Sequence, residues 1–74
     1  VKQLADITYI RDTVGLDYLP ELLSEVAQVR LEMPDATLKE LGENLSHPVG
    51  KSGVNHRLRK ISAVAESLRE ERGE

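Results

Sequence analysis

The chain has 74 residues, of which 39% are hydrophobic and 31% charged; its formal net charge is −3, and it contains no cysteine, tryptophan or phenylalanine. This length supports one small core, and without cysteine neither disulfides nor cysteine-based metal sites are available, so aliphatic helix packing must provide the stability. No apolar run approaches the roughly 20 residues that span a bilayer, and no secretory signal pattern opens the chain, so we expect a soluble, cytoplasmic protein.

The domain organisation follows from the length and the first residue. The chain begins at Val1 rather than at Met. We therefore expect a single domain over residues 1–74 that comes from a longer protein, although a processed or trimmed terminus would look the same.

The first half of the chain predicts two helices. Residues 3–14 place apolar side chains at helical spacing, namely Leu4, Ile7, Ile10 and Val14. Gly15 follows where a left-handed C-terminal cap would lie. A second helix is predicted with Pro20 in its first turn, which tolerates proline, and it should stop before Pro34, which disfavours helical geometry at Met33. We expect this helix to form the centre of the core, since its apolar face comprises Leu19, Leu22, Leu23, Val26, Ala27, Val29, Leu31 and Met33.

The third predicted helix begins at a capping box. The Thr37 hydroxyl can accept a hydrogen bond from the amide of Glu40, while the Glu40 carboxylate accepts one from the amide of Thr37. The helix therefore starts at Leu38, with Leu38, Leu41 and Leu45 as its buried stripe. Gly42 costs about 1 kcal/mol against alanine in a helix interior, which indicates that another helix approaches closely there.

A turn separates this helix from a fourth one. The segment from Ser46 to Gly50 contains Pro48 and should break the third helix, with Val49 turned inward. The N-cap of the fourth helix is either Gly50 or Ser52. Its buried stripe has a four-three-four-three spacing and comprises Val54, Leu58, Ile61, Ala65 and Leu68. The polar residues 69–74 are predicted to fray.

Positive charge is concentrated on the fourth helix. Residues 1–45 carry a net charge of −5 and residues 66–74 of −2, whereas residues 46–65 carry +4 and no acidic side chain. Because charges are screened over about 8 Å at physiological salt, a phosphate beside residues 51–60 would experience mainly this local positive charge. The helical spacing turns outward Ser52, Asn55, His56, Arg59 and Lys60, with Arg57 at the boundary.

Together, the third and fourth helices predict a DNA-binding helix-turn-helix over about residues 37–65, with a connection of five or six residues. The fourth helix would enter the major groove. The candidate base contacts are Ser52, Asn55, His56 and Arg59, and the candidate phosphate contacts are Lys51, Arg57 and Lys60. Further phosphate contacts are predicted at Lys39 and Gly53, where helix N-termini favour anions. The alternative is an ordinary solvated basic face, and the absence of acidic side chains favours DNA.

The residue pattern does not indicate a catalytic or metal-binding site. His56 and His47 lie nine residues apart, whereas two ligands on one helix would be three or four apart. Carboxylate pairs such as Glu40 with Glu43 fall on polar helix faces, without the burial that tunes a catalytic pKa. We therefore predict no metal, no cofactor and no enzymatic activity.

Two segments carry a family resemblance. The run from Leu38 to Glu43, then Pro48-Val49 and the run from Lys51 to Ile61, looks like the C-terminal domain of the bacterial sporulation regulator WhiA. Residues 19–36 are also similar to that domain. The resemblance implies a small all-α four-helix bundle whose helix-turn-helix is similar to region 4 of bacterial sigma factors, in a regulator of sporulation or cell-division genes. It also implies a LAGLIDADG-like domain in the longer chain, whose helices are absent here. The implied DNA contacts cover only residues 51–60.

A protein-interaction module is the rival hypothesis. Sigma-like helix-turn-helix domains can dock on RNA polymerase or another transcription protein, and the apolar stripe from Val54 to Leu68 could extend into a helical dimer. The acidic first half of the chain suits a basic partner. The sequence specifies neither the DNA target, nor activation or repression, nor the oligomeric state.

Overall fold

The computed structural model describes residues 2–73, so Val1 and Glu74, the ends of the predicted domain, lie outside the described residues. This part of the chain forms four α-helices: α1 (Lys2–Thr13), α2 (Glu21–Glu32), α3 (Leu38–Glu43) and α4 (Lys51–Glu71), with a 3-10 turn at Leu16–Tyr18 between α1 and α2. Residues 2–73 contain no β-strand. The predicted all-α four-helix bundle is confirmed.

The centre of the bundle is α4, which packs against α1, α2 and α3. At 1.5 Å per residue its 21 residues extend about 31 Å, enough to contact all three shorter helices. Its predicted buried stripe is confirmed, because at most 5% of each residue is exposed in Val54, Leu58, Ile61, Ala65 and Leu68. The chain's own helices cover this stripe, so within this fold it is not free to form the seam of a helical dimer.

The prediction that α2 would be the centre of the core was also wrong. This helix ends at Glu32, with Met33 outside the helical region before Pro34 as predicted, but Pro20 is its N-cap and not a residue of its first turn. Its apolar face is only partly used, since Leu23, Val26 and Ala27 are buried, whereas Leu22 is 54% exposed. Val29, Leu31 and Met33 pack against the core but are only partly buried. A helix on one side of a central helix buries one stripe only.

The end of α1 departs from the predicted cap. Ile7 and Ile10 are buried, but Val14 is 37% exposed and does not belong to the stripe. Gly15 has the predicted positive φ of 85°, yet its ψ of 154° is extended rather than left-handed helical. Its amide still donates to the Ile10 carbonyl at 2.8 Å. This combination of φ and ψ is essentially restricted to glycine. The prediction of a positive φ at Gly15 is therefore confirmed, whereas the predicted left-handed helical cap was wrong.

The C-terminal end of α4 is held against α1. Fraying was predicted from Arg69 onward, but the helix continues to Glu71. The Arg69 Nη1 donates to Asp6 Oδ1 at 2.7 Å, and the same guanidinium lies 4.6 Å from the centre of the Tyr9 ring. Asp6 is only 1% exposed. A charged pair therefore connects the first helix to the last, and the prediction of fraying from Arg69 was wrong.

Candidate nucleic-acid interface

The start of α3 is fixed by the predicted capping box. The Glu40 amide donates to the Thr37 hydroxyl oxygen at 3.2 Å, and the Thr37 amide donates to Glu40 Oε1 at 3.0 Å. Hydrogen bonding of the Glu40 carboxylate to the Thr37 amide, and secondly to the Thr37 side chain, lowers the pKa of Glu40 below its ordinary value. Both predictions, the box and the start at Leu38, are confirmed.

Close packing sets the angle between α3 and α4. A Cβ added to Gly42 would lie 2.1 Å from the Val49 carbonyl oxygen and 3.2 Å from a Val54 methyl group. Only glycine admits this approach, which confirms a packing reason for Gly42; the backbone that comes closest belongs to the connection, at Val49, and not to another helix as predicted. The connection, residues 44–50, has seven residues rather than five or six, because α3 ends at Glu43.

Gly53 has a role in the same packing. A Cβ at Gly53 would lie 3.3 Å from the Val49 Cβ, and Val49 itself packs against the core as predicted. The space left by the missing side chain therefore faces Val49. The Gly53 backbone amide stays a predicted phosphate contact.

A carboxylate from α2 holds the connection in place. The amide of Ser46 donates to Glu25 Oε2 at 3.2 Å, and the Ser46 hydroxyl donates to the same oxygen. These two bonds lower the pKa of Glu25, and the nearby charges of His47 and Arg57 lower it further. An acidic side chain thus stands beside a segment that appears free of acids in the sequence.

Sequence reasoning missed Glu25 as a residue of the interface. It lies 21 positions before Ser46, and only the packing of α2 beside the turn brings the two together. No local pattern signals such a contact.

The outer surface of α4 carries most of the predicted contacts. Ser52, His56 and Arg59 are exposed and fall within an arc of about 60°, at 100° per residue, opposite the buried stripe. Exposed Ala63 shares this arc and was missed, because only polar side chains were considered. The remaining predicted side-chain contacts on this helix are two exposed lysines, Lys51 and Lys60, and two half-buried residues, Asn55 and Arg57. The boundary position of Arg57 is confirmed.

The N-terminus of α4 is suited to an anion. Of the two predicted N-caps the structure has Gly50, which forms no side-chain hydrogen bond to the first turn. The first-turn amides of a helix have no intrahelical acceptor, and the helix dipole adds partial positive charge there. Lys51 begins the helix at this end. Lys39, exposed in the first turn of α3, is the predicted contact outside α4.

Two further properties bear on function. In the described part of the chain, no group of three or more His, Cys, Asp or Glu residues could hold a metal ion. Across residues 2–73, none of the helices combines the length and apolar character needed to cross a membrane.

A short capped helix, a close turn and a longer helix with an exposed basic surface together define a helix-turn-helix domain, a class that occurs in many DNA-binding proteins. Residues 1–65 match the family described as the WhiA C-terminal helix-turn-helix domain. The chain belongs to this family, and the resemblance noted in the sequence is confirmed.

Relatives and a solved structure agree with this assignment. The chain is 63% identical over 70 residues to the probable cell division protein WhiA of Alkaliphilus oremlandii, covering 95% of this chain and 22% of that protein. It is 59% identical over 71 residues to the probable cell division protein WhiA of Clostridium acetobutylicum, covering 96% and 22%. Full-length DUF199/WhiA from Thermatoga maritima has a TM-score of 0.82 at 38% identity, covering 89% of this chain and 22% of that one. The chain thus spans about a fifth of the length of these relatives.

Proposed function

We propose that the chain is the sequence-specific DNA-binding domain of a bacterial transcriptional regulator of cell division or sporulation genes. The observation that carries the proposal is the arc of Ser52, His56 and Arg59 on α4, which is exposed beside cationic side chains and opposite the core. Membership of a helix-turn-helix family and the cell-division names of the relatives support it.

The proposed docking places the first half of α4 in the major groove. Residues 51–60 extend about 14 Å, comparable with the groove's width of about 12 Å. The arc of Ser52, His56 and Arg59 then faces base edges, together with Asn55 beside it. A guanidinium such as that of Arg59 can bind the O6 and N7 atoms of guanine in a bidentate manner.

Phosphate contacts would fix the helix in this position. Lys51, Arg57 and Lys60 flank the base-contacting arc, and Lys39 lies on the neighbouring helix. The backbone amide of Gly53, in the first turn of α4, adds a neutral donor. Such contacts determine register and orientation and carry no sequence information directly.

Salt dependence tests the electrostatic part of the proposal. If the four proposed phosphate contacts, Lys39, Lys51, Arg57 and Lys60, each neutralise a phosphate, log affinity should fall against log salt with a slope of roughly −3 to −4. The measurement is fluorescence anisotropy of a labelled random-sequence duplex over a range of salt concentrations. NMR shifts on titration should fall on residues 51–60, and an affinity that does not change with salt would refute the proposal.

Paired variants test the division of roles. Arg59→Ala should reduce the preference for a selected site over random DNA by about 1–3 kcal/mol, because a base contact is lost. Lys60→Ala should reduce the affinity for the selected and the random duplex by the same factor, and it should make the slope of log affinity against log salt shallower by about 1. Arg11→Ala, which removes an exposed arginine on α1, is the matched control and should change neither affinity. Equal effects of Arg59→Ala and Lys60→Ala on both duplexes would show that the roles are not divided in this way.

A further inference from the structure

A second surface lies beside the proposed DNA-binding arc. A groove of about 320 Å³ separates the start of α2 from the middle of α4. Its lining consists of Pro20, Leu22, Leu23, His56, Arg57 and Lys60. This volume lies at the lower end of the range of about 300–1,000 Å³ that is usual for ligand sites.

The α2 side of the groove is apolar. Leu22 is 54% exposed, Leu23 lies beneath at 8%, and exposed Pro20 completes this wall. A single exposed leucine needs no explanation, but apolar side chains that line a concave surface with a polar rim mark interaction sites. The core gains little from Leu22, since more than half of it remains in solvent.

The α4 side of the groove is basic. His56, Arg57 and Lys60 form this wall, and none of the six lining residues is acidic. The carboxylate of Glu25 offsets part of the charge of Arg57, because the two interact electrostatically. Exposed Lys60 therefore provides most of the attraction for an incoming anionic group, and exposed His56 adds a ring N–H donor.

We propose that this groove binds an acidic amphipathic helix of a protein partner. Aliphatic side chains of that helix would cover Leu22 and Leu23, while its carboxylates would pair with Lys60 and accept a hydrogen bond from the His56 ring. A DNA backbone could satisfy the basic wall, but it offers no aliphatic side chain to cover the apolar wall. The apolar wall therefore favours a peptide over nucleic acid as the occupant.

Occupancy of the groove would interfere with DNA binding. His56 is a candidate base contact and Lys60 a candidate phosphate contact, and both would be engaged by the peptide. The partner would thus compete with DNA for the same two side chains. Peptide binding itself is independent of the proposed DNA function, because it is measured without DNA.

A designed peptide tests the inference. The probe is a fluorescently labelled helix of about four turns, with leucines spaced i, i+3, i+4, i+7 and glutamates elsewhere. We expect it to bind the chain, and we expect Leu22→Ala to weaken that binding about tenfold, the effect of losing a well-buried apolar contact. Val14→Ala, which shortens another exposed apolar residue outside the groove, is the matched control and should change nothing.

Two comparisons separate this inference from the DNA proposal. A peptide with lysines in place of the glutamates should not bind, and Leu22→Ala should leave the affinity for a random-sequence duplex unchanged. No binding of the acidic peptide, or equal loss in Leu22→Ala and Val14→Ala, would overturn the inference. So would a Leu22→Ala variant that loses affinity for DNA and not for the peptide, since the groove would then belong to the nucleic-acid surface.

Discussion

Replacing Gly42 by alanine should destabilise the domain even though alanine is the better helix former. By helix propensity alone, replacing glycine by alanine within a helix stabilises it by about 1 kcal/mol. Against this, the new Cβ would lie 2.1 Å from the Val49 carbonyl oxygen, a backbone atom that moves only if the turn moves. Overpacking typically costs 1–3 kcal/mol, and a clash with backbone belongs at the upper end. The expected net loss is about 2 kcal/mol.

Urea denaturation followed by circular dichroism measures this loss, and thermal melting should show a decrease in Tm of roughly 8–16 °C for a domain of this size. Ala63→Gly is the control, because exposed Ala63 reports the alanine-to-glycine difference on α4 without a packing change. It should destabilise by about 1 kcal/mol. A Gly42→Ala variant as stable as the wild type would refute the reasoning, since the turn would then be able to move at no cost.

Three further predictions concern polar contacts. Arg69→Ala should lower the free energy of unfolding by about 2–3 kcal/mol in urea denaturation. This is less than the loss of a fully buried ion pair would cause, because the Arg69 side chain is 31% exposed. A double-mutant cycle with Asp6→Asn should show that the two side chains are energetically coupled. Because hydrogen bonds from Ser46 lower the pKa of Glu25, its stabilising contribution is complete above about pH 4.3 and is lost as the pH falls through the lowered value. A pH series of urea denaturations should therefore show a smaller acid-induced decrease in Glu25→Gln, and an unchanged decrease would contradict this contribution. Thr37→Ala should lower the free energy of unfolding by about 1 kcal/mol, measured by thermal melting, because a helix N-cap is lost. No change in Tm would mean that the cap does not stabilise the domain.

Features that depend on neighbours in the chain were predictable. The stripe of α4 repeats at helical spacing, so its burial follows from periodicity. The box of Thr37 and Glu40 is a short-range pattern, and it also fixes where α3 starts. Gly42 inside a helix indicated close packing because its propensity cost needs a compensating contact.

Features that depend on the packing of distant segments were not predictable. The exposure of Leu22 depends on which side of α2 meets α4, and its pattern with Leu23 and Val26 does not specify that. The contact of Glu25 with Ser46 joins two elements across the fold. In the candidate interface, the exposure of most α4 side chains was predicted correctly from the sequence. The Glu25 carboxylate beside the connection and the groove between α2 and α4 became visible only in the tertiary structure.

The contact between Asp6 and Arg69 also has a consequence for the order of events in folding. The two residues are 63 positions apart, so the ring they close includes almost the whole chain. Closing so large a ring is entropically costly before the intervening helices have packed, and we expect this pair to form after the rate-limiting step. Weakening it would then accelerate unfolding and leave the folding rate almost unchanged, which makes the pair a determinant of how long each molecule stays folded.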